Sequence, residues 1–198
     1  SVRNVVFMGM GEPLLNYENM RKSLEIMLQQ DRLSLWRRHI TISTCGIIPG
    51  IKKLIEDKVD VKLAISLHAP NQELRNQIMP IGKAFPLDEL MTTIDEYVKA
   101  TDNRIFYEYI MIKNMTDKPE LAHQLVKLLK GRLAHLNLIP YNENSAIDLE
   151  ESEKKSIQKF KEILENWGIT VTVRDSMGRE AKGACGQLGY EKVANSEQ

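Results

Sequence analysis

The sequence predicts an α/β protein with a parallel sheet and helical crossovers. Short β-branched runs alternate with amphipathic stretches along the chain, and several of those runs are apolar throughout, as strands covered on both faces are. Right-handed crossovers then leave two architectures, a doubly wound sheet or a barrel. A third observation favours the barrel. Polar or glycine-bearing residues recur where the strands end, at Gly11 and Glu12, Ser43, Ser66 and His68, Asn142 and Arg174, which is the face where such folds place active sites.

The elements follow in order. "NVVFMGM" is the first strand, and "ENMRKSLEIMLQQ" a helix on which Met20, Leu24, Met27 and Leu28 recur at helical spacing. "HITISTCG" and "VKLAISLHAP" are the next two strands, separated by a helix near "GIKKLIED". Helices near "NQELRNQIM" and "PLDELMTTIDEYVKA" come after them. "RIFYEYIMI" is a fourth strand. The helix in "TDKPELAHQLVKLLKG" has Asp117 as a cap, Pro119 in its first turn, a stripe of Leu121, Leu125, Leu128 and Leu129, and Gly131 as its stop. "HLNLIPYN" and "TVTVRDS" are the last strands. Between them "EESEKKSIQKFKEILENWG" places Ile157, Phe160, Leu164 and Trp167 on one face and ends at Gly168.

Length and composition bound the rest. The 198 residues, 42% of them hydrophobic, suit one domain with a real core, and no repeat, low-complexity tract or linker divides them. No apolar run approaches the ~20 residues of a membrane span, and the first residues lack the sections of a signal peptide, so a cytoplasmic protein is expected. Formal net charge is zero, which excludes a body that grips nucleic acid by overall charge and leaves RNA contacts to local patches or to other segments. Two cysteines, Cys45 and Cys185, are too few and too far apart for a disulfide scaffold or a short metal motif.

Several residues have plain readings. Cys45 in "STCG" sits where a small residue suits a strand end, and a structural role is expected for it. His123 and His135 share no metal-ligand spacing and read as structural or solvent-facing, and "WRRH" at Trp36–His39 reads as a solvated surface on the side opposite the strand-end residues. Cys185 differs. In "AKGACGQLGY" it stands among small residues with no helical or strand period, a placement that exposes a thiol instead of packing it as a small hydrophobe.

In "MGMGEP" two glycines let backbone approach a ligand while Glu12 offers a carboxylate to a cationic group, and alone the motif also fits a tight strand-to-helix turn. Ser43 would equally serve a turn, His68 a satisfied loop, and Asn142 an ordinary turn. Taken in order, however, "MGMGEP", "STCG", "SLHAP", "LIPYN" and "ACGQL" resemble the radical S-adenosylmethionine RNA methyltransferases of the RlmN family and their relative Cfr, from the first residue to about Gly189.

That resemblance implies a partial (β/α)6 TIM-like barrel of the radical SAM type, here lacking its first strand and cluster loop, over residues 1–198, with a terminal methyl-carrier loop near 175–190. It implies S-adenosylmethionine contacts at Gly11, Glu12, Ser43, Ser66, Leu67, His68 and Asn142. It further implies methylation of adenine C2 in 23S rRNA and some tRNAs, with an electron donor for a [4Fe–4S] cluster. Cys185 takes a methyl group by displacement from one cofactor molecule, and a second, cleaved reductively, abstracts hydrogen from that methyl so that its carbon adds to adenine. In the family three thiolates in CxxxCxxC hold the cluster, and this chain has no such motif. The chain therefore reads as a piece whose cluster segment precedes Ser1, inactive alone, with an exposed edge at its first strand. Methylation at adenine C8, as in Cfr, and a non-catalytic RNA-binding fragment are the alternatives.

Overall fold

The computed structural model describes residues 2–9, 11–29, 35–142 and 149–174. Six strands form one sheet: β1 (Val5–Phe7), β2 (Ile40–Thr44), β3 (Lys62–Ser66), β4 (Ile105–Met111), β5 (Ala134–Pro140) and β6 (Thr170–Val173). Their order in the sheet is their order in the chain, and the pairs β1–β2, β2–β3 and β3–β4 are parallel. Such winding never reverses direction, as a doubly wound sheet must at its switch point, so the architecture is that of a partial barrel. The crossovers carry α1 (Tyr17–Leu28), α2 (Ile48–Glu56), α3 (Gln72–Ile78) and α4 (Leu87–Thr101), then α5 (Pro119–Leu129) and α6 (Lys154–Asn166). No helix among the described residues is long and apolar enough to cross a membrane.

The chain divides into two compact units, one of residues up to 108 with 131–135, the other of 109–130 with 136 onward. In the first unit, burial alternates along the strands. Ile40, Ile42, Leu63, Ile65, Ile105 and Tyr107 are closed off from solvent, each worth about 2 kcal/mol of apolar burial. Thr41, Ser43, Lys62, Ser66 and Phe106 on the opposite face are half-buried. α2 packs on α4, and the Tyr97 hydroxyl inside α4 accepts the Val61 N–H at 3.2 Å and meets the Val61 carbonyl at 2.6 Å, fixing the entry to β3. β1 ends the sheet, with Val6 54% exposed, which agrees with the edge expected there.

The second unit packs α5 on α6 and stacks Tyr109 on Phe160 with ring centres 5.4 Å apart. α5 starts one residue later than a cap at Asp117 requires: Lys118 is its N-cap, with no side-chain bond, and Pro119 takes the first turn. The turn is held by Thr116 instead, whose Oγ1 meets the Ile110 carbonyl at 2.6 Å and the Ile112 N–H at 2.7 Å. α6 is shorter than the sequence pattern suggested, because Glu150 and Glu151 are spent beside the end of β4: the Lys113 N–H donates to the Glu150 carbonyl, and Glu151 bridges Ile112. Trp167 leaves the buried face of α6. It is 52% exposed, with the Lys130 ammonium 4.7 Å over its ring. Gly131 and Gly168 take φ of +82° and +79° where their helices stop.

Candidate functional site

The site is built from strand ends, beginning with the turn after β1. Gly11 has φ +93°, and a Cβ placed on it, or on Gly9, would meet nothing within 4 Å, so backbone there faces open space. Glu12 follows as the N-cap of a 3-10 turn over Pro13–Asn16. Its Oε1 accepts the Leu14 N–H at 3.1 Å and its Oε2 the Cys45 N–H at 2.8 Å. The carboxylate thus ties the β1 turn to the loop after β2.

β2 supplies Ser43, and the register places it beside Ala64 on β3, which lies beside Phe106 on β4. One layer nearer the strand ends, Ser66 lies beside Glu108. Ser43 and Ser66 therefore occupy successive layers of the same half-buried face. The Glu108 carbonyl accepts the N–H groups of both Leu67 (3.0 Å) and His68 (3.1 Å). Leu67 is fully buried in the core, so a role in binding falls to its backbone. His68 sits at φ +57°, in the left-handed region that a non-glycine residue enters only where surrounding structure holds it.

Two groups that sequence reasoning did not single out complete this end of the first unit. Arg75 of α3 is 0% exposed, and its Nη2 donates to the Cys45 carbonyl at 2.7 Å. Buried Glu108 is the other, at 4% exposure. The spacing of α3 gave no sign that Arg75 points inward; the signal available was Gly46, on which a Cβ would stand 3.1 Å from the Arg75 Nη2. Electrostatics follow burial. Desolvation, then the bond and charge of Glu12, push the Cys45 thiol up to about 12. Desolvation, then the Arg75 charge, pull His68 down to about 4, so its imidazole is neutral near pH 7. Burial likewise lowers the Arg75 guanidinium.

In the second unit Asn142 follows the end of β5, with the preceding Tyr141 N–H bonded to the Met111 carbonyl at 3.2 Å. Asn142 is buried, yet among the described residues its Oδ1 has no hydrogen-bond partner. A buried acceptor without a donor is costly and fits a group that a ligand completes. In the first unit, open glycine backbone likewise suits a ligand rich in donors and acceptors. A cluster is a different matter: among the described residues no group of His, Cys, Asp and Glu could hold a metal. Cys185 lies outside the described residues. Of the residues given plain readings, Cys45 is half-buried and bonded through its backbone on both sides, His123 is exposed, and His135 packs on Phe106 with ring centres 5.3 Å apart. Trp36 is 66% exposed under the Arg38 guanidinium.

A parallel sheet wound in one direction, with glycine, carboxylate and serine groups at the strand ends of the first unit, is the arrangement of a barrel-type cofactor-binding protein. The chain belongs to the radical SAM superfamily, whose family model matches residues 2–126. S-adenosylmethionine and a [4Fe–4S] cluster are the cofactors that membership implies. The chain is 46% identical over 195 residues to a protein of Clostridium novyi named probable dual-specificity RNA methyltransferase RlmN, covering 98% of this chain and 57% of that one. It is 49% identical over 187 residues to a protein of the same name from Dictyoglomus turgidum, covering 94% and 54%. The structure of a radical SAM methyltransferase from Sphaerobacter thermophilus superposes with a TM-score of 0.91 at 39% identity, over 94% of this chain and 55% of that one. A domain of pyruvate-formate lyase-activating enzyme from Bacteroides vulgatus, 17% identical with a TM-score of 0.67, shares the fold. The chain thus spans about half the length of the curated relatives it matches.

Proposed function

We propose that this chain is barrel sequence of an RNA methyltransferase of the RlmN kind, which methylates C2 of adenine in 23S rRNA and in some tRNAs. The observation that carries the reading is identity of 46% and 49%, across nearly the whole chain, to relatives named as dual-specificity RNA methyltransferases. The strand-end residues support it. Backbone at Gly9 and Gly11, the hydroxyls of Ser43 and Ser66, the backbone of Leu67 and His68, and the Asn142 amide receive S-adenosylmethionine, while Glu12 holds the turn that presents the glycines. The cofactor supplies a methyl group and, when reductively cleaved with the cluster and an electron donor, a hydrogen-abstracting radical. The described residues hold no ligand set for that cluster, so its thiolates come from elsewhere in the protein. Catalysis is assigned to the cytoplasm, where the rRNA and tRNA substrates are found.

Within this reading Cys185 is the methyl carrier. Its thiol loses a proton to solvent and its sulfur forms a bond to the methyl carbon as that carbon's bond to the sulfonium sulfur breaks, so that S-adenosylhomocysteine leaves and a thioether remains on the protein. A thiolate is suited to this displacement where a hydroxyl near neutral pH is not. The experiment is mass spectrometry of the holoenzyme after incubation with S-adenosylmethionine. The peptide containing Cys185 gains the mass of one CH2, and Cys185→Ser abolishes both that gain and RNA methylation. A methyl group found on another residue, normal RNA methylation by Cys185→Ser, or product methylated at adenine C8 refutes the assignment concerned.

A further inference from the structure

Among the described residues Arg75 is the only fully buried cation, and none of the ion pairs found there includes it. Its five N–H donors find one strong acceptor, the Cys45 carbonyl at 2.7 Å from Nη2. Nη1 lies 3.9 Å from the Met79 sulfur, a weak acceptor, and Nε is buried with no partner. Burying a guanidinium on such terms costs stability, and an unbranched apolar side chain would fill the same space without that cost. The surroundings are nonetheless shaped to it. A Cβ on Gly46 would stand 2.8 Å from the Leu90 Cδ2 and 3.1 Å from Nη2, so that glycine leaves room for both side chains. A local conflict of this kind, with a bare glycine beside the buried guanidinium, marks a functional demand more often than a packing one.

The demand is legible in what the guanidinium holds. Cys45 is gripped on both sides, its N–H by Glu12 Oε2 at 2.8 Å and its carbonyl by Arg75 at 2.7 Å. Glu12 is held in turn by the Leu14 N–H. The turn after β1, the loop after β2 and the helix after β3 are thereby joined through one residue. The Arg75 charge also helps keep His68 neutral beside it. We propose that Arg75 is a positioning residue for the cofactor: by clamping the Cys45 carbonyl, it sets the Glu12 turn and its glycine backbone in the arrangement that receives S-adenosylmethionine. The inference rests on the reading of this strand end as the cofactor site.

The test uses the holoenzyme and the variants Arg75→Met and Arg75→Lys, with equilibrium dialysis of S-adenosylmethionine, thermal melting and steady-state kinetics. Arg75→Met keeps or raises the melting temperature, because a desolvated charge has gone, while cofactor affinity falls by about tenfold, the scale of one lost charged hydrogen bond. Its KM for the cofactor rises and kcat at saturation holds. Arg75→Lys recovers part of the affinity. Unchanged affinity in Arg75→Met overturns the inference, as does a fall in melting temperature with affinity intact in the folded fraction. Should Arg75→Met fail to fold, Arg75→Lys decides: weakened binding by the folded protein supports the role, and wild-type binding overturns it. Failure of the unaltered holoenzyme to bind S-adenosylmethionine refutes the site reading itself and takes the inference with it.

Discussion

Gly50→Ala sets two effects of opposite sign against each other. Gly50 is the third residue of α2, where alanine has the better helix propensity by about 1 kcal/mol and the less floppy unfolded chain. On that account the substitution stabilises. A Cβ at Gly50, however, would stand 2.6 Å from the Leu14 Cβ and 3.2 Å from both the Leu14 Cδ1 and its carbonyl oxygen. Carbon atoms rest at about 3.5–4.0 Å, so the pair must part by about an ångström. The near atom is a Cβ fixed to backbone, and Leu14 is itself buried, so no side-chain rotation relieves the contact. Overpacking costs about 1–3 kcal/mol, and a clash with backbone belongs at the upper end. Net destabilisation of about 2 kcal/mol follows, a drop of roughly 4–8 °C in melting temperature. Because Leu14 donates its N–H to Glu12, movement of the 3-10 turn also loosens cofactor binding. Thermal denaturation of the two proteins side by side is the assay. An unchanged or raised melting temperature refutes the steric argument and leaves propensity as the winner.

Gly46→Ala faces φ +99° and a Leu90 Cδ2 at 2.8 Å, whereas Gly131→Ala faces only φ +82° in open space; losses of about 3 and about 1 kcal/mol are expected, and equal melting shifts would show that the crowding is unimportant. His68 titrates near 6.5 unfolded but at about 4 in the fold, so its contribution is present above pH 6.5 and is lost as pH falls through about 4. His68→Asn, which tolerates the left-handed backbone, flattens urea stability against pH across that window; an undiminished slope assigns it to other groups. The Cys45 thiol, pushed up to about 12, resists iodoacetamide at pH 8 until the protein is unfolded, and rapid labelling of the Cys45 peptide in the native protein contradicts the burial and Glu12 contact that protect it. Asn142→Ala leaves stability within about 0.5 kcal/mol, since its Oδ1 forms no bond among the described residues, but weakens S-adenosylmethionine binding; a large loss of stability instead makes the residue structural.

The alternation of strands and helices was legible because each repeats a local period, and the one-directional sheet order then realised the choice of barrel made from strand-end polarity. Boundaries and caps were less so. Asp117 looked like a cap by type and spacing, but Thr116 already satisfies the turn, and proline at position 119 starts the helix without help. Trp167 looked buried by helical phase, yet it follows the last residue of α6 as its C-cap, and the ring meets Lys130 at the end of α5 instead. Arg75 was invisible for a different reason. Its partner carbonyl lies 30 residues away in sequence, and Gly46, which leaves room for its Nη2, follows that carbonyl in the chain, so no local window contains the reason for its burial.

The strand-end motifs also divide their labour differently from what residue type alone suggests. A carboxylate after two glycines invites pairing with an ammonium group, but each Glu12 oxygen already accepts a backbone N–H. Charge on Glu12 therefore acts first on the protein: it satisfies two backbone donors and joins two loops, one of them at Cys45, whose carbonyl Arg75 holds. Leu67 gives its side chain to the core and His68 gives up its charge. Under the proposed reading, what the first unit leaves to meet a ligand is neutral: glycine backbone and serine hydroxyls. Such a surface would recognise a zwitterion by directed hydrogen bonds at low desolvation cost, whereas a bare carboxylate and guanidinium facing solvent would have to be stripped of water each time the cofactor bound. Fixing the ions behind such a surface places that cost in folding, once.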